Sequence, residues 1–192
     1  MSLARLGDLA VANIALADVA MPELRKLTAE LGMTSRLAIL DDGYAVVVGR
    51  VDAPGAIRFD AALGRREMPH CSAVGKALLA AMPPEEAQRI LERIGLPQRT
   101  PRTITALPQL MKELAAIAAR GYAIDDEEDT EGVACIGCCV FGRGGQAAGA
   151  ISVTGLKPRD WRHRVGELAE RVLACAGAVS RQLGHHTEPL SL

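Results

Sequence analysis

Residues 133–154 read VACIGCCVF-GRGG-QAAGAISVT and predict two adjacent β-strands joined by a turn. Val133–Phe141 and Gln146–Thr154 are the strand-like runs, and Gly142–Gly145 supplies the turn glycines. The second run alternates poorly between apolar and polar residues. Because a strand with one face in water alternates clearly, we expect this strand to be covered on both faces.

The chain before this hairpin carries further strand signals. Arg36–Leu40 and Tyr44–Val51 flank Asp41-Asp42-Gly43, and an Asp-Gly pair between β-branched runs is a strong hairpin signal. Shorter strand-like runs lie at Ala56–Phe59 and Tyr122–Asp125. Together these runs predict an antiparallel sheet.

Helical patterns lie between and beyond the strands. Ser72 is a suitable N-cap for a helix over Val74–Ala80, and Pro84 opens another. Leu107–Arg120 forms a third helical pattern, and apolar residues recur at helical spacing from Trp161 to Leu183. Helices combined with an antiparallel sheet predict an α+β fold.

The N-terminal segment has an apolar stripe at helical spacing. Two interpretations stay open: a surface helix that packs on its own domain, or a linker helix that pairs with another chain. Pro22 is expected to open a second helix that ends at Leu31, before Gly32. The stripe consists of Leu6, Leu9, Asn13, Leu16 and Ala20.

Composition excludes several classes of protein. The net charge is −1, whereas a domain that binds a nucleic-acid backbone usually has a basic excess. The charge therefore argues against direct DNA binding by these residues. The five cysteines are odd in number and three lie in one apolar run, which indicates a reducing, cytoplasmic compartment. No apolar stretch is long enough to span a bilayer, so we expect no membrane partner.

The start of the Ser72-capped helix is the first candidate site. The free amides of Ala73 and Val74 would suit a carboxylate, although a capped helix without a ligand explains the same residues. We expect His70 to be a structural histidine and Lys76 to be a surface charge.

The acidic run Asp125–Asp129 is the second candidate. Such runs usually form solvated loops. Since this run directly follows a strand, Asp125 could instead point inward and bind a ligand hydroxyl, or a metal with further oxygen ligands. The spacing does not match a calcium-binding loop.

Two strands supply the remaining candidates. Alternation places Cys135 and Cys139 on one face and Cys138 on the other, so Cys135-x-x-Cys138 is a weak metal motif. Cys135 is interpreted first as a small buried hydrophobe and alternatively as a thiolate nucleophile. Ser152 and Thr154 share a face, either in solvent or as the floor of a pocket. We assign no catalytic residue, metal site or cofactor.

These stretches, in this order, resemble the effector-binding domain of the IclR family of transcriptional regulators. The resemblance covers nearly the whole chain. The residues that carry it are His70-Cys-Ser-Ala-Val-Gly-Lys-Ala77, Gly121-Tyr-Ala-Ile-Asp-Asp-Glu-Glu128, Gly132-Val-Ala-Cys-Ile136 and Ala150-Ile-Ser-Val-Thr-Gly155.

The resemblance implies a GAF-like fold, with a curved antiparallel sheet of about six strands flanked by helices. It also implies a pocket for a small carboxylic or aromatic acid. The Ala73-Val74 pair is bulkier than the family's Gly-Ala pair, so the smallest keto acids are not assured. Gly137 and Gly149 are expected to leave room for a larger ligand. The implied effector-binding residues are Ala73, Val74, Asp125, Cys135, Ser152 and Thr154.

The expected organisation is a linker helix over residues 1–21, an effector-binding domain over 22–184 and a flexible tail over 185–192. Arg5-Leu6-Gly7 resembles the end of the family's linker, so we expect DNA to be bound only through a winged helix-turn-helix that is absent from this chain. The expected assembly is a homodimer or tetramer. The alternatives are a cysteine- or metal-dependent enzyme on a GAF-like fold and a pure dimerisation module with a closed core.

Overall fold

The computed structural model describes residues 3–55, 59 and 62–185, without the side chains of residues 3–15. The helices in this part of the chain are α1 (Leu3–Leu31), α2 (Ala73–Ala80), α3 (Pro84–Ile94), α4 (Leu107–Arg120) and α5 (Trp161–Gln182). The strands are β1 (Thr34–Asp41), β2 (Tyr44–Val51), β3 (Arg66–Glu67), β4 (Ala123–Asp126), β5 (Val133–Phe141) and β6 (Ala147–Leu156).

The strands form one antiparallel sheet in the order β3-β2-β1-β6-β5-β4. Both predicted hairpins, β1–β2 and β5–β6, are present. In the first hairpin, Asp42 and Gly43 have φ angles of 49° and 85°, the positive values that a two-residue type I′ turn requires. The predicted α+β fold with an antiparallel sheet of about six strands is confirmed.

Helices cover both faces of the sheet. Helices α1 and α5 pack on one face, where they bury Ile151 and Val153 of β6. On the other face α2 lies against the sheet and α3 and α4 pack around α2, and this layer buries Ala150. Burial on both sides removes the need for polar residues at every second position, which explains the poor alternation of this strand.

The expectation of a separate second helix beginning at Pro22 is wrong, because α1 continues through this residue. Proline removes one backbone hydrogen bond and crowds the preceding turn. Leu16, Ala20, Leu24 and Leu27 are all at most 3% exposed, and burial of this apolar stripe offsets that cost. The predicted boundary between residues 21 and 22 therefore falls inside a continuous helix.

Some predictions fall outside the described residues. These include the stripe side chains Leu6, Leu9 and Asn13, the strand over 56–59 except Phe59, and the tail over 186–192. Among the described residues, no helix has the length and apolar composition needed to cross a membrane. Strand β3, with only two residues, was not predicted.

Candidate functional site

A cavity of about 250 Å³ lies between the first turn of α2 and the sheet. Pockets for drug-sized ligands measure about 300–1,000 Å³, so this one suits a smaller molecule. The structure brings all six predicted effector-binding residues to its wall: Ala73, Val74, Asp125, Cys135, Ser152 and Thr154. The other lining residues are Arg36, Phe59, Arg65, Glu67, Ser72, Asp129, Thr130 and Val133.

The start of α2 presents two free amides to this cavity. Ser72 has the extended backbone of an N-cap (φ −83°, ψ 145°), and its Oγ accepts a hydrogen bond from the Gly75 amide at 3.2 Å. The amides of Ala73 and Val74 donate to no described residue, as is usual in a first helical turn. Since they lie at the positive end of the helix dipole, they are suited to an anion.

Glycine in β5 allows α2 to approach the sheet this closely. A Cβ atom at Gly137 would lie 2.8 Å from the backbone carbon and oxygen of Ala73. A Cβ atom at Gly149 would lie 2.9 Å from the carbonyl oxygen of Ala38. The expectation that these glycines leave room for a larger ligand is therefore wrong, because the protein's own backbone occupies both spaces.

We expect Gly137→Ala to destabilise the fold by about 1–3 kcal/mol, because the added methyl group forces the first turn of α2 away from β5. Urea unfolding would measure this change. Gly166→Ala is the control, since an added methyl group at this position of α5 would meet no atom within 4 Å; it should stabilise by up to about 1 kcal/mol. Equal effects of the two substitutions would contradict the proposed contact.

Strand register assembles the floor of the cavity from four strands. One row of directly paired residues runs across β4, β5, β6 and β1: Asp125, Cys135, Thr154 and Thr34. The next row on this face contains Gly137, Ser152 and Arg36. Gly137 in the second row lies against Ala73 of α2. Because side chains two positions apart on a strand share a face, both rows face α2.

Asp125 is the buried member of the acidic run and is only 3% exposed. Its Oδ1 accepts hydrogen bonds from the amides of Glu128 at 2.7 Å and Asp129 at 3.3 Å. Burial nevertheless raises the pKa of Asp125 to about 7, although these amides and the Lys76 ammonium favour the ionised form. Its carboxyl group can therefore exchange a proton near neutral pH.

Cys135 pairs with Asp125 on one side and Thr154 on the other. The Thr154 hydroxyl donates to its Sγ at 3.3 Å. Burial, reinforced by the nearby Asp125 charge, raises the pKa of the Cys135 thiol well above its ordinary value. This environment favours a neutral thiol and does not activate a nucleophile.

The sequence prediction missed an ion pair in the cavity wall. Arg36 Nη1 donates to Glu67 Oε1 at 3.0 Å, and both side chains are nearly buried. Burial raises the pKa of Glu67, although the Arg36 guanidinium acts in the opposite direction. The one available signal was that the predicted strand Arg36–Leu40 begins with a charged residue and is otherwise apolar.

Lys76 is not the surface charge that was expected. It is 1% exposed and its ammonium group pairs with Glu128 of the acidic run. This run is thus partly folded inward, because Asp125 and Glu128 are both buried. His70 is also buried, and its Nε2 lies 3.0 Å from the carbonyl oxygen of Pro97, which agrees with a structural histidine.

Another cavity, of about 390 Å³, lies between α4, β4 and the start of α5. None of the six predicted site residues lines it; its wall includes Glu113, Arg120 and Trp161. Within the described residues there is no cluster of three or more acidic, histidine or cysteine side chains arranged to hold a metal ion.

Comparison with known proteins identifies similar chains. The family model described as bacterial transcriptional regulator IclR C-terminal matches residues 9–181. The HTH-type transcriptional regulator KdgR of Escherichia coli K12 is 33% identical over 192 residues, which cover 98% of this chain and 72% of KdgR. The HTH-type transcriptional repressor AllR of the same strain is 34% identical over 172 residues, which cover 90% of this chain and 64% of AllR.

A solved structure with a bound acid is also similar. It is a double mutant of the inducer-binding domain of the PobR transcription factor from Acinetobacter, in complex with 3-hydroxybenzoic acid. The TM-score is 0.78 at 25% identity, and the match covers 85% of this chain and 97% of that chain.

Proposed function

Because this chain belongs to the IclR family of bacterial transcriptional regulators, we propose that its cavity binds a small organic acid and that binding alters how the regulator holds DNA. The observation that carries the proposal is the convergence on one small cavity of two unpartnered helix-start amides, a buried acid and two strand hydroxyls. The similar PobR domain, which holds 3-hydroxybenzoic acid, supports the same class of ligand.

The acid's carboxylate would bind at the amides of Ala73 and Val74, where the helix dipole favours negative charge. Ser152 would donate a further hydrogen bond. Thr154 donates its hydroxyl proton to Cys135, so its oxygen would accept a hydrogen bond from the ligand, and the neutral thiol adds polarizable surface. A protonated Asp125 would donate to the ligand without repelling its charge.

Binding would change the DNA affinity of the regulator through a population shift. The acid favours one arrangement of the subunits, and this arrangement sets the positions of the attached DNA-binding domains. Those domains would be winged helix-turn-helix units, since the similar regulators KdgR and AllR are described as HTH-type. The net charge of −1 supports DNA binding by such units and not by the present sequence. We propose a cytoplasmic homodimer or tetramer with this organisation. An enzymatic role for Cys135 is not favoured, because burial keeps its thiol protonated.

Calorimetric titration with pyruvate, 3-hydroxybenzoate and ω-hydroxypentanoate tests the proposal. For an acid that binds, Ser152→Ala should lower the affinity about ten-fold, because it removes a hydrogen bond to a charged group. Ser35→Ala is the matched control: Ser35 is a buried serine on the adjacent strand, and it bonds to Thr28 and Leu24 of α1. Equal affinities of both variants and the wild type would remove Ser152 from the site.

We expect the affinity for a monocarboxylate to fall as the pH rises from about 6 to about 8. With a pKa of about 7, Asp125 is mostly protonated at the lower pH and mostly ionised at the higher pH, where it repels the bound carboxylate. The change should approach ten-fold if only the protonated form accepts the ligand. Calorimetry across this range would measure it.

Asp125→Asn provides the control for this pH dependence, since its amide stays neutral and should flatten the profile. A wild-type affinity that is constant across the range, or one that rises with pH, would contradict the assigned role of Asp125.

A further inference from the structure

We propose that the Arg36–Glu67 ion pair recognises a second oxygen on the ligand, at the end far from its carboxylate. This inference rests on the proposed function and narrows its ligand class to monocarboxylic acids with a distal hydroxyl or carbonyl group. The ion pair thereby acts as a specificity determinant of the cavity.

Strand register places the ion pair opposite the free amides. Gly137 lies directly against Ala73 of the helix start. Gly137 pairs with Ser152, which pairs with Arg36 on the next strand. Two strand spacings separate Gly137 from Arg36, or about 9–10 Å. The Arg36 side chain extends still farther from α2, to Glu67 on β3. An acid held at the amides can therefore direct its other end toward this pair.

Arg36 has donor capacity that the described residues do not use. Its guanidinium carries five N–H bonds, of which Nη1 donates to Glu67. Its Nε is buried and has no acceptor in the described part of the chain. The side chains of Arg36 and Glu67 are only 11% and 8% exposed, so bulk water does not readily accept hydrogen bonds from the Arg36 guanidinium. Nε is too enclosed for a ligand to reach, but Arg36 lines the cavity. A ligand oxygen there would therefore accept from the terminal N–H groups of the guanidinium that Glu67 leaves unused.

The charges in the wall favour a neutral oxygen over a second carboxylate. Asp125 is protonated in the proposed complex. The cavity wall then holds two carboxylates, those of Glu67 and Asp129, beside two arginines, Arg36 and Arg65, and so has no excess of positive charge to attract a second carboxylate. Glu67 already neutralises Arg36 at 3.0 Å. A second carboxylate would meet the Glu67 charge at close range, whereas a hydroxyl or carbonyl oxygen accepts from Arg36 without that repulsion.

Matched ligands of equal chain length test the inference. Calorimetry would compare pentanoate, ω-hydroxypentanoate and pentanedioate, together with the corresponding butanoate and hexanoate series, so that one member fits the length of the cavity. At the best chain length, the hydroxy acid should bind the wild-type chain about ten-fold more tightly than the unsubstituted acid. The dicarboxylate should bind more weakly than the hydroxy acid.

Two variants separate the contributions of the pair. Arg36→Met combined with Glu67→Gln removes both charges together and should abolish the preference for the hydroxyl group. Glu67→Gln alone keeps the arginine, so it should retain that preference while the dicarboxylate gains affinity relative to the hydroxy acid. This single variant keeps the test decisive if the double variant does not fold.

The outcomes distinguish the two levels of the proposal. If no acid binds the wild-type chain, the proposed function fails and the inference fails with it. If acids bind but the hydroxy acids have no advantage at any chain length, or if the double variant keeps that advantage, only the role of Arg36–Glu67 is overturned. A dicarboxylate that binds most tightly would also overturn it.

Discussion

Replacing Lys76 with methionine should destabilise the fold by about 3–5 kcal/mol, because it leaves the Glu128 carboxylate buried without its cation. Lys76 is among the largest fully buried side chains, and it pairs with Glu128 beneath the acidic run. Glu128 Oε2 already has no hydrogen-bond partner among the described residues, so nothing else there would compensate. Urea unfolding of the variant and the wild type would measure the loss.

The double variant Lys76→Met with Glu128→Gln is the control for this prediction. Replacing both partners removes the uncompensated charge, so most of the lost stability should return. If the double variant is as unstable as the single one, the loss comes from packing around Lys76, and the importance assigned to the ion pair is wrong.

Ala73→Pro should weaken binding of a carboxylic acid by about ten- to a hundred-fold, because it deletes an amide donor to a charged group. Ala73 is the first residue of α2, the helical position that proline occupies most readily. Ser72 has a ψ of 145°, which a following proline accepts. The substitution thus removes one N–H from the cavity while the helix start is kept. Calorimetry with the same three acids would measure the effect.

Ala73→Gly is the matched control because it retains the amide hydrogen and also changes the side chain. It should bind acids within a few-fold of the wild type. If the proline and glycine variants bind equally well, the carboxylate does not use the Ala73 amide, and the orientation proposed for the ligand is wrong.

Local patterns in the sequence predicted most elements of this fold. The glycine-rich turns and the Ser72 cap depend on neighbouring residues alone, so their signals could be read directly. The position of the acidic run directly after a strand also correctly indicated that its first member, Asp125, could point inward, where it is buried.

Features that depend on distant residues were not predicted. Lys76 is buried because Glu128, 52 positions later, reaches it. Arg36 lies beside Ser152 only through the register of β1 on β6, which no local pattern encodes. The space beside Gly137 is filled by α2, whose position depends on the packing of the whole layer. In each case the deciding contact is tertiary.

The central claim is that an acid binds at the start of α2, in the cavity above β5 and β6. Amide chemical shifts in a titration with pyruvate, 3-hydroxybenzoate and ω-hydroxypentanoate test it directly. At least one acid should cause saturable shifts that are largest at Ala73 and Val74 and extend to Asp125, Cys135 and Ser152. The absence of saturable shifts with every acid, or shifts confined to the cavity beside Trp161 and Arg120, would contradict the claim.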